Sequence, residues 1–158
     1  MSKIVIIGAG AMGSAFAVPS LDNSHNTNIV GTHLENEFIK DLKKNDNFHP
    51  GLNIKLPKEI NIFEFKHFDE ILKLNVDLIV LGISSKGIEW ISDQLGRVFK
   101  GKKIPKILML TKGLSIYKNQ YELLVDKLER LLNNKGISGL NISAVGGPCL
   151  AAGLANKV

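Results

Sequence analysis

The sequence predicts an α/β protein with a doubly wound, mostly parallel sheet and helices on both faces. Short apolar runs, residues 3–7 and 77–83 among them, are typical of strands buried on both faces of a parallel sheet. Helical patterns alternate with these runs, and the links between them are short. Such alternation favours right-handed crossovers and one sheet covered by helices.

The remaining elements follow in chain order. Further strands are predicted at residues 29–30, 60–65, 107–110 and 142–145, and the asparagine-rich stretch between 23 and 28 is predicted as a turn. Helices are predicted at residues 11–18, 35–45, 69–74, 85–99 and 121–132, and a small-residue helix begins within residues 147–158. Pro19 is expected to kink or shorten the first helix, since proline removes an amide donor. Ser85 can cap the helix that ends near Phe99, and a position of Ser84 and Ser85 beside a bound ligand is the open alternative.

Length and composition suit one globular domain. The 158 residues are 44% apolar and 22% charged, so one predicted domain spans residues 1–158. No break in composition marks a domain end near Val158, and we expect the chain to be truncated within a larger protein. No signal peptide or membrane-spanning stretch is evident, so a cytoplasmic location is expected. The single cysteine, Cys149, and the four histidines lack metal-ligand spacing, and no metal site is predicted.

The net charge of +5 leaves the class of partner open. Lysines alternate with acidic residues in the helical stretches at 40–46 and 126–130, which is typical of solvated surface. We therefore expect no nucleic-acid partner. A phosphate-rich ligand would also suit a mild positive balance, so the charge is compatible with both interpretations.

Three glycines form a GxGxxG turn directly after the first strand. Gly8 permits the tight turn, Gly10 lets the backbone approach a pyrophosphate, and Gly13 allows the helix to pack closely on the strand. The N-terminus of the following helix offers free N–H donors to phosphates. Glycines that merely make a turn are the plainer alternative. The context favours a Rossmann-type domain that binds a nicotinamide dinucleotide.

The adenosine end of this site is less typical. NAD-specific domains commonly carry Asp or Glu at the end of the second strand, whereas this chain reads Gly31, Thr32, His33. Thr32 and His33 could hydrogen-bond a 2′-phosphate, which no carboxylate at that position would repel. Glu35 lies just beyond and could still reach the ribose. The sequence therefore predicts NADP or NAD, with a slight preference for NADP.

Several segments together resemble the NAD(P)-dependent glycerol-3-phosphate dehydrogenases, and the opening is most similar to archaeal members. The matching segments are GAGAMGSAFAVPSLDN at 8–23, GT at 31–32, HPGLNIKLP at 49–57, LGISSKGI at 81–88, LTKGL at 110–114 and GGPCLAAGLA at 146–155. Together they extend over nearly the whole chain. The TKG and GGP segments, in this order after a GxGxxG, are the most specific.

The resemblance implies several cofactor contacts. Ala11 and Met12 would line the pyrophosphate turn, and Ala151 would touch the nicotinamide side. His33 stands where many bacterial members have a cofactor-contacting arginine. Phe48 stands where many have an aromatic residue.

The resemblance also implies a substrate site around Lys112. This lysine would reach both the nicotinamide region and the substrate, while Gly147 and Cys149 would belong to the loop that contacts glycerol phosphate. Independently, Lys112 follows a predicted strand and should lie at the carboxyl edge of the sheet, where ligands bind in open α/β sheets. A cation there can stabilise negative charge that develops on a carbonyl. A solvated surface lysine is the plainer alternative.

The implied reaction is reversible hydride transfer between NAD(P)H and dihydroxyacetone phosphate, giving sn-glycerol 3-phosphate. In this family the general base is a second lysine in a downstream helical domain, which is absent here, so the chain alone is expected to be inactive. The full-length protein could be a homodimer. Another two-domain dehydrogenase, of the ketopantoate reductase or β-hydroxyacid dehydrogenase type, and a non-enzymatic dinucleotide-binding module are the alternatives.

Overall fold

One six-stranded parallel sheet forms the centre of the computed structural model, which describes residues 1–157. The strands are β1 (Lys3–Ile7), β2 (Asn26–Val30), β3 (Phe48–His49), β4 (Ile54–Lys55), β5 (Asn61–Phe63), β6 (Leu78–Leu81), β7 (Lys106–Met109), β8 (Leu114–Tyr117), β9 (Gln120–Leu123) and β10 (Ile142–Ala144). The helices are α1 (Ala11–Asp22), α2 (Asn36–Lys44), α3 (Phe68–Leu72), α4 (Ile88–Val98), α5 (Leu124–Asn133) and α6 (Ala151–Asn156). Val158, the end of the predicted domain and of the last predicted helical segment, lies outside the described residues.

The strand order of the central sheet is β10-β7-β6-β1-β2-β5, and each neighbouring pair is parallel. The chain builds outward from β1 through β2 to β5, then returns to place β6 on the other side of β1. The direction of winding therefore reverses between β1 and β6. Ligands of open α/β sheets bind at the carboxyl ends of the strands that flank such a reversal.

Two apolar layers cover the two faces of this sheet. Along β1, Ile4 and Ile6 face a layer that includes apolar side chains of α1 and α2. Val5 and Ile7 face a second layer that includes α3, α4 and α5. Because successive strand residues point to opposite faces, a strand that is apolar throughout needs helices on both sides. The predicted doubly wound α/β fold is confirmed.

Three glycines lock β1, α1 and β6 together at the carboxyl edge. Gly8 has a φ of +105°, and a Cβ atom there would lie 2.6 Å from the Gly82 carbonyl oxygen. A Cβ on Gly13 would lie 2.2 Å from the Gly8 oxygen, and one on Gly82 would lie 2.8 Å from the Gly13 Cα. Such distances leave no room for a side chain, so Gly13 and Gly82 are required for the close approach of α1 to the sheet.

The predicted helix at residues 121–132 is wrong in its first turn. Residues 114–123 form an antiparallel hairpin of β8 and β9, and α5 begins only at Leu124. Lys118 and Asn119 form the turn with φ of 49° and 63°, the left-handed conformation that two-residue hairpins use. The apolar residues of this segment alternate with period two, which favours a strand over a helix.

Three boundary predictions are also wrong. α1 continues through Pro19 to Asp22, and the Asn23 amide closes its last turn by donating to the Pro19 carbonyl at 3.1 Å. β2 begins at Asn26, inside the predicted turn. Its polar residues satisfy one another, with the Asn28 amide donating to Asn26 Oδ1 at 2.9 Å. Ser85 does not cap a helix: a 3₁₀ turn, Ser85–Gly87, precedes α4, and no side chain caps either element.

Within residues 1–157, no helix is both long and apolar enough to cross a bilayer. In the same range, no cluster of three or more His, Cys, Asp or Glu side chains is arranged to hold a metal ion.

Candidate functional site

The glycine turn leaves the N-terminus of α1 open to a ligand. The first intrahelical bond runs from the Ser14 amide to the Gly10 carbonyl, so the amides of Ala11, Met12 and Gly13 lack helical acceptors. No side chain caps these donors, and the first turn contains no acidic residue. Free amides at the positive end of a helix dipole are suited to bind phosphate.

Glu35 supplies a carboxylate beside this turn. One oxygen, Oε1, accepts a hydrogen bond from the Ala9 amide at 3.1 Å, and Oε2 accepts one from the Thr32 amide at 2.7 Å. A Cβ on Gly10 would lie 3.9 Å from Oε1. The side chain thus folds back from the start of α2 and brings a negative charge to the carboxyl end of β2.

A pocket of about 480 Å³ lies between this carboxylate and α4. His33 and Trp90 form one side of it, with their ring centroids 4.9 Å apart. The residues that line it are Gly10, Thr32, His33, Leu34, Glu35, Gly82, Ile83, Ser84, Lys86, Gly87 and Trp90. The predicted cofactor residues Gly10, Thr32 and His33 therefore meet in one pocket. Phe48, also predicted, is not among the residues that line it; it lies half-buried in β3.

The structure brings Lys112 together with the loop that contains Gly147 and Cys149. Lys112 Nζ donates to the Gly147 carbonyl and lies 3.4 Å from the Cys149 carbonyl oxygen. Thr111, the preceding residue, ties this segment to the end of β6 through its hydroxyl, which donates to the Ile83 carbonyl at 2.7 Å. A second hollow of about 480 Å³ adjoins the loop and is lined by Gly146, Pro148, Cys149, Leu150, Gly153 and Leu154.

Helix α6 connects this loop to the glycine turn. Ala151, at its start, belongs to the same apolar cluster as Ala11, at the start of α1. Ala15 and Ala155 form the buried part of that cluster together with Leu52. The small side chains allow the two helices to approach closely, so the two predicted cofactor residues Ala11 and Ala151 lie on neighbouring elements.

The hairpin that follows Lys112 is held by a charged pair. Arg130 Nε donates to Glu122 Oε1 at 2.7 Å, and its guanidinium lies 3.7 Å from the centroid of the Tyr117 ring. The hydrogen bond from Arg130 holds the pKa of Glu122 below its usual value, although burial acts in the opposite direction. The pair links β9 to α5.

Sequence reasoning missed three residues near the site. Gly82 closes the turn from β6, His49 contacts the Ala9 carbonyl, and Trp90 lines the pocket. Gly82 could have been found, because a glycine at the end of a central strand often marks a close approach of backbones. His49 begins the matching segment at 49–57, but neither that segment nor the surroundings of Trp90 indicate these contacts, because they join distant parts of the chain.

Residues 3–158 match a family of known proteins that is described as the N-terminus of NAD-dependent glycerol-3-phosphate dehydrogenase. The chain belongs to this family. Because the chain is a glycerol-3-phosphate dehydrogenase N-terminal domain, the ketopantoate reductase and β-hydroxyacid dehydrogenase alternatives are excluded.

Individual relatives of this glycerol-3-phosphate dehydrogenase domain are distant and longer. The NADP(+)-dependent glycerol-3-phosphate dehydrogenase of Archaeoglobus fulgidus is 29% identical over 155 residues, which are 98% of this chain and 44% of that protein. The glycerol-3-phosphate dehydrogenase [NAD(P)+] of Fusobacterium nucleatum is 32% identical over 136 residues, 85% of this chain and 38% of that protein. The crystal structure of the Coxiella burnetii glycerol-3-phosphate dehydrogenase shares the fold, with a TM-score of 0.76 at 18% identity over 99% of this chain and 44% of that one. The chain thus spans less than half the length of these relatives.

Proposed function

We propose that this chain binds a nicotinamide dinucleotide as the cofactor half of an enzyme that interconverts dihydroxyacetone phosphate and sn-glycerol 3-phosphate. One observation carries the proposal: the uncapped N-terminus of α1 opens at the reversal between β1 and β6, beside a pocket with a carboxylate. The amides of Ala11 and Met12 would bind the pyrophosphate, and the adenosine would occupy the pocket between Glu35 and Trp90.

Glu35 supports NAD as the preferred dinucleotide. The sequence preference for NADP rests on the missing carboxylate at the end of β2, and the fold places the Glu35 carboxylate close to that position. Each oxygen accepts one backbone amide and keeps a lone pair for a ribose hydroxyl. A 2′-phosphate there would meet a like charge. The positive charge of Lys86, which also lines the pocket, would favour NADP instead. Lys86 takes no part in the two hydrogen bonds that hold the Glu35 carboxylate.

The substrate phosphate or carbonyl would be oriented by Lys112. Its ammonium group already lies against the carbonyl groups of Gly147 and Cys149, so this loop and Lys112 would form one side of the substrate site. When bound, the nicotinamide ring donates or accepts the hydride. Lys112 would stabilise negative charge that develops on the substrate oxygen, and Ala151 would lie on the nicotinamide side.

A non-enzymatic dinucleotide-binding module is the second candidate. Such a module would need the glycine turn and the pocket but would have no use for a lysine held beside the Gly147 loop. The geometry around Lys112 therefore favours the enzyme. The cytoplasmic location and the homodimer of the full-length protein stay predictions.

The test uses Trp90, the single tryptophan, as a probe inside the pocket. Titration with NADH should quench its fluorescence in a saturable way. Dihydroxyacetone phosphate is then added to the NADH-saturated protein in a calorimeter, and Lys112→Met should weaken this second binding about tenfold or more while the affinity for NADH changes less than threefold. Lys106→Met, at the opposite end of β7, is the matched control. Unchanged substrate binding in Lys112→Met would favour the non-enzymatic module, and no response to NADH would contradict the proposal.

A further inference from the structure

The peptide groups on either side of Ala9 are held by three side chains from different parts of the chain. Glu35 accepts the Ala9 amide, while the Ala9 carbonyl accepts the Ser14 hydroxyl at 3.0 Å and lies 3.1 Å from His49 Nε2. Ser14 and Ala9 are fully buried, and His49 is 3% exposed. The carbonyl of Ala9 therefore points into the protein, away from the open side of the glycine turn.

The chemistry of this contact determines that His49 Nε2 is a hydrogen-bond donor. A carbonyl oxygen can only accept, so Nε2 carries the proton and donates. In the neutral imidazole Nδ1 then carries no proton, and this atom is buried without a hydrogen-bond partner among the described residues. The bond between Nε2 and the Ala9 carbonyl joins β3 to the glycine turn.

The surroundings of His49 hold the ring in this position. Its ring meets Phe38 of α2 edge to face, with the centroids 5.2 Å apart. Gly51 lets the chain pass close by, since a Cβ there would lie 3.3 Å from His49 Cε1. The next apolar residue, Leu52, packs with Ala15 of α1 and Ala155 of α6. The segment of β3 and β4 thus supports the glycine turn from the side opposite the ligand.

We propose that His49 is a positioning residue of the dinucleotide site and acts through the Ala9 carbonyl. By holding that oxygen inward together with Ser14, it leaves only amide donors, those of Ala11 and Met12 among them, facing the pyrophosphate. A carbonyl oxygen turned outward would repel a phosphate at the same place. The inference rests on the proposed function, because it assigns His49 to a site whose ligand is a dinucleotide.

Two amide substitutions test the inference. Gln in place of His49 can place an N–H near the depth of Nε2, whereas Asn reaches only the depth of Nδ1. The affinities of wild type, His49→Gln and His49→Asn for NADH, ADP and adenosine are measured by calorimetry. His49→Asn should lose about tenfold in affinity for NADH and ADP, the equivalent of one hydrogen bond at a charged ligand, and less than twofold for adenosine. His49→Gln should stay within about threefold of wild type for all three ligands.

The outcomes distinguish a positioning role of His49 from a merely structural role and from a failure of the proposed function. A loss of adenosine affinity as large as that of ADP would assign His49 a merely structural role and overturn the inference. Equal NADH affinities of His49→Asn and wild type would also overturn it. A wild-type chain that bound neither NADH nor ADP would contradict the proposed function itself. If His49→Asn does not fold, Ser14→Ala removes the other donor to the same carbonyl, and it must show the same selective loss for the inference to stand.

Discussion

The Glu35 carboxylate accepts a hydrogen bond from the Ala9 amide at 3.1 Å, although 26 residues separate them in the chain. This contact joins the start of α2 to the glycine turn after β1. It brings a fixed negative charge to the place where a dinucleotide ribose is expected. The choice between the two nicotinamide cofactors should therefore depend on one side chain.

Replacement of this carboxylate should change cofactor preference. We expect wild type to bind NADH more tightly than NADPH, and Glu35→Gln to shift the ratio of the two dissociation constants about tenfold toward NADPH, because the like charge beside the 2′-phosphate is removed. Fluorescence titration of Trp90 measures both constants. Glu37→Gln is the matched control, since Glu37 lies exposed on α2 and pairs with Lys40. If the ratio of the two dissociation constants is equal in wild type and Glu35→Gln, another group determines the cofactor preference, and Lys86 is the first one to replace.

The contact between Gly13 and the β1 turn should tolerate no side chain. A Cβ on Gly13 would lie 2.2 Å from the Gly8 oxygen, so Gly13→Ala should lower the free energy of unfolding by more than about 3 kcal/mol. Gly146→Ala is the control, because nothing lies within 4 Å of a Cβ at that position. Urea unfolding followed by circular dichroism compares the two variants. Equal stability of the two variants would mean that α1 does not approach the sheet as closely as described.

The ion pair of the hairpin should make stability depend on pH in the acid range. Because Arg130 lowers the pKa of Glu122 in the folded protein from its ordinary value of 4.5, the pair stabilises the fold above that value. The stabilisation is lost as the pH falls through the lowered pKa. Glu122→Gln should therefore be less stable than wild type at pH 7, and the difference should shrink toward pH 3. Thermal unfolding at a series of pH values measures it.

Glu129→Gln is the control for this prediction, since Glu129 is exposed on α5, the helix that carries Arg130. It should leave the pH dependence of wild type unchanged. A difference between Glu122→Gln and wild type that stays constant from pH 7 to pH 3 would contradict the role given to the ion pair.

The sheet and its layers follow from local sequence. The strands β1 and β6 are apolar at successive positions, which is possible only where both faces are covered, and the glycine turn between β1 and α1 has a distinctive spacing. The hairpin of β8 and β9 was predicted as helix in part. Its turn residues, Lys118 and Asn119, include no glycine, so the usual signal of a two-residue hairpin is weak.

Only part of the candidate site could be predicted from the sequence. Lys112, Gly147 and Cys149 were placed together by family resemblance, and the fold brings them into contact. The contacts of Glu35 and His49 with Ala9 could not be predicted. Each joins residues more than 20 positions apart, and the matching segment that begins at His49 does not specify a contact with Ala9.

We propose that a dinucleotide binds at the open N-terminus of α1, and a ¹⁵N NMR titration with NADH observes this binding at individual backbone amides. The amides of Gly10, Ala11 and Met12 should shift progressively and saturate, while those of Gly136 and Gly139, in the loop between α5 and β10, stay unchanged. Shifts confined to other parts of the chain, or none at saturating NADH, would contradict the account.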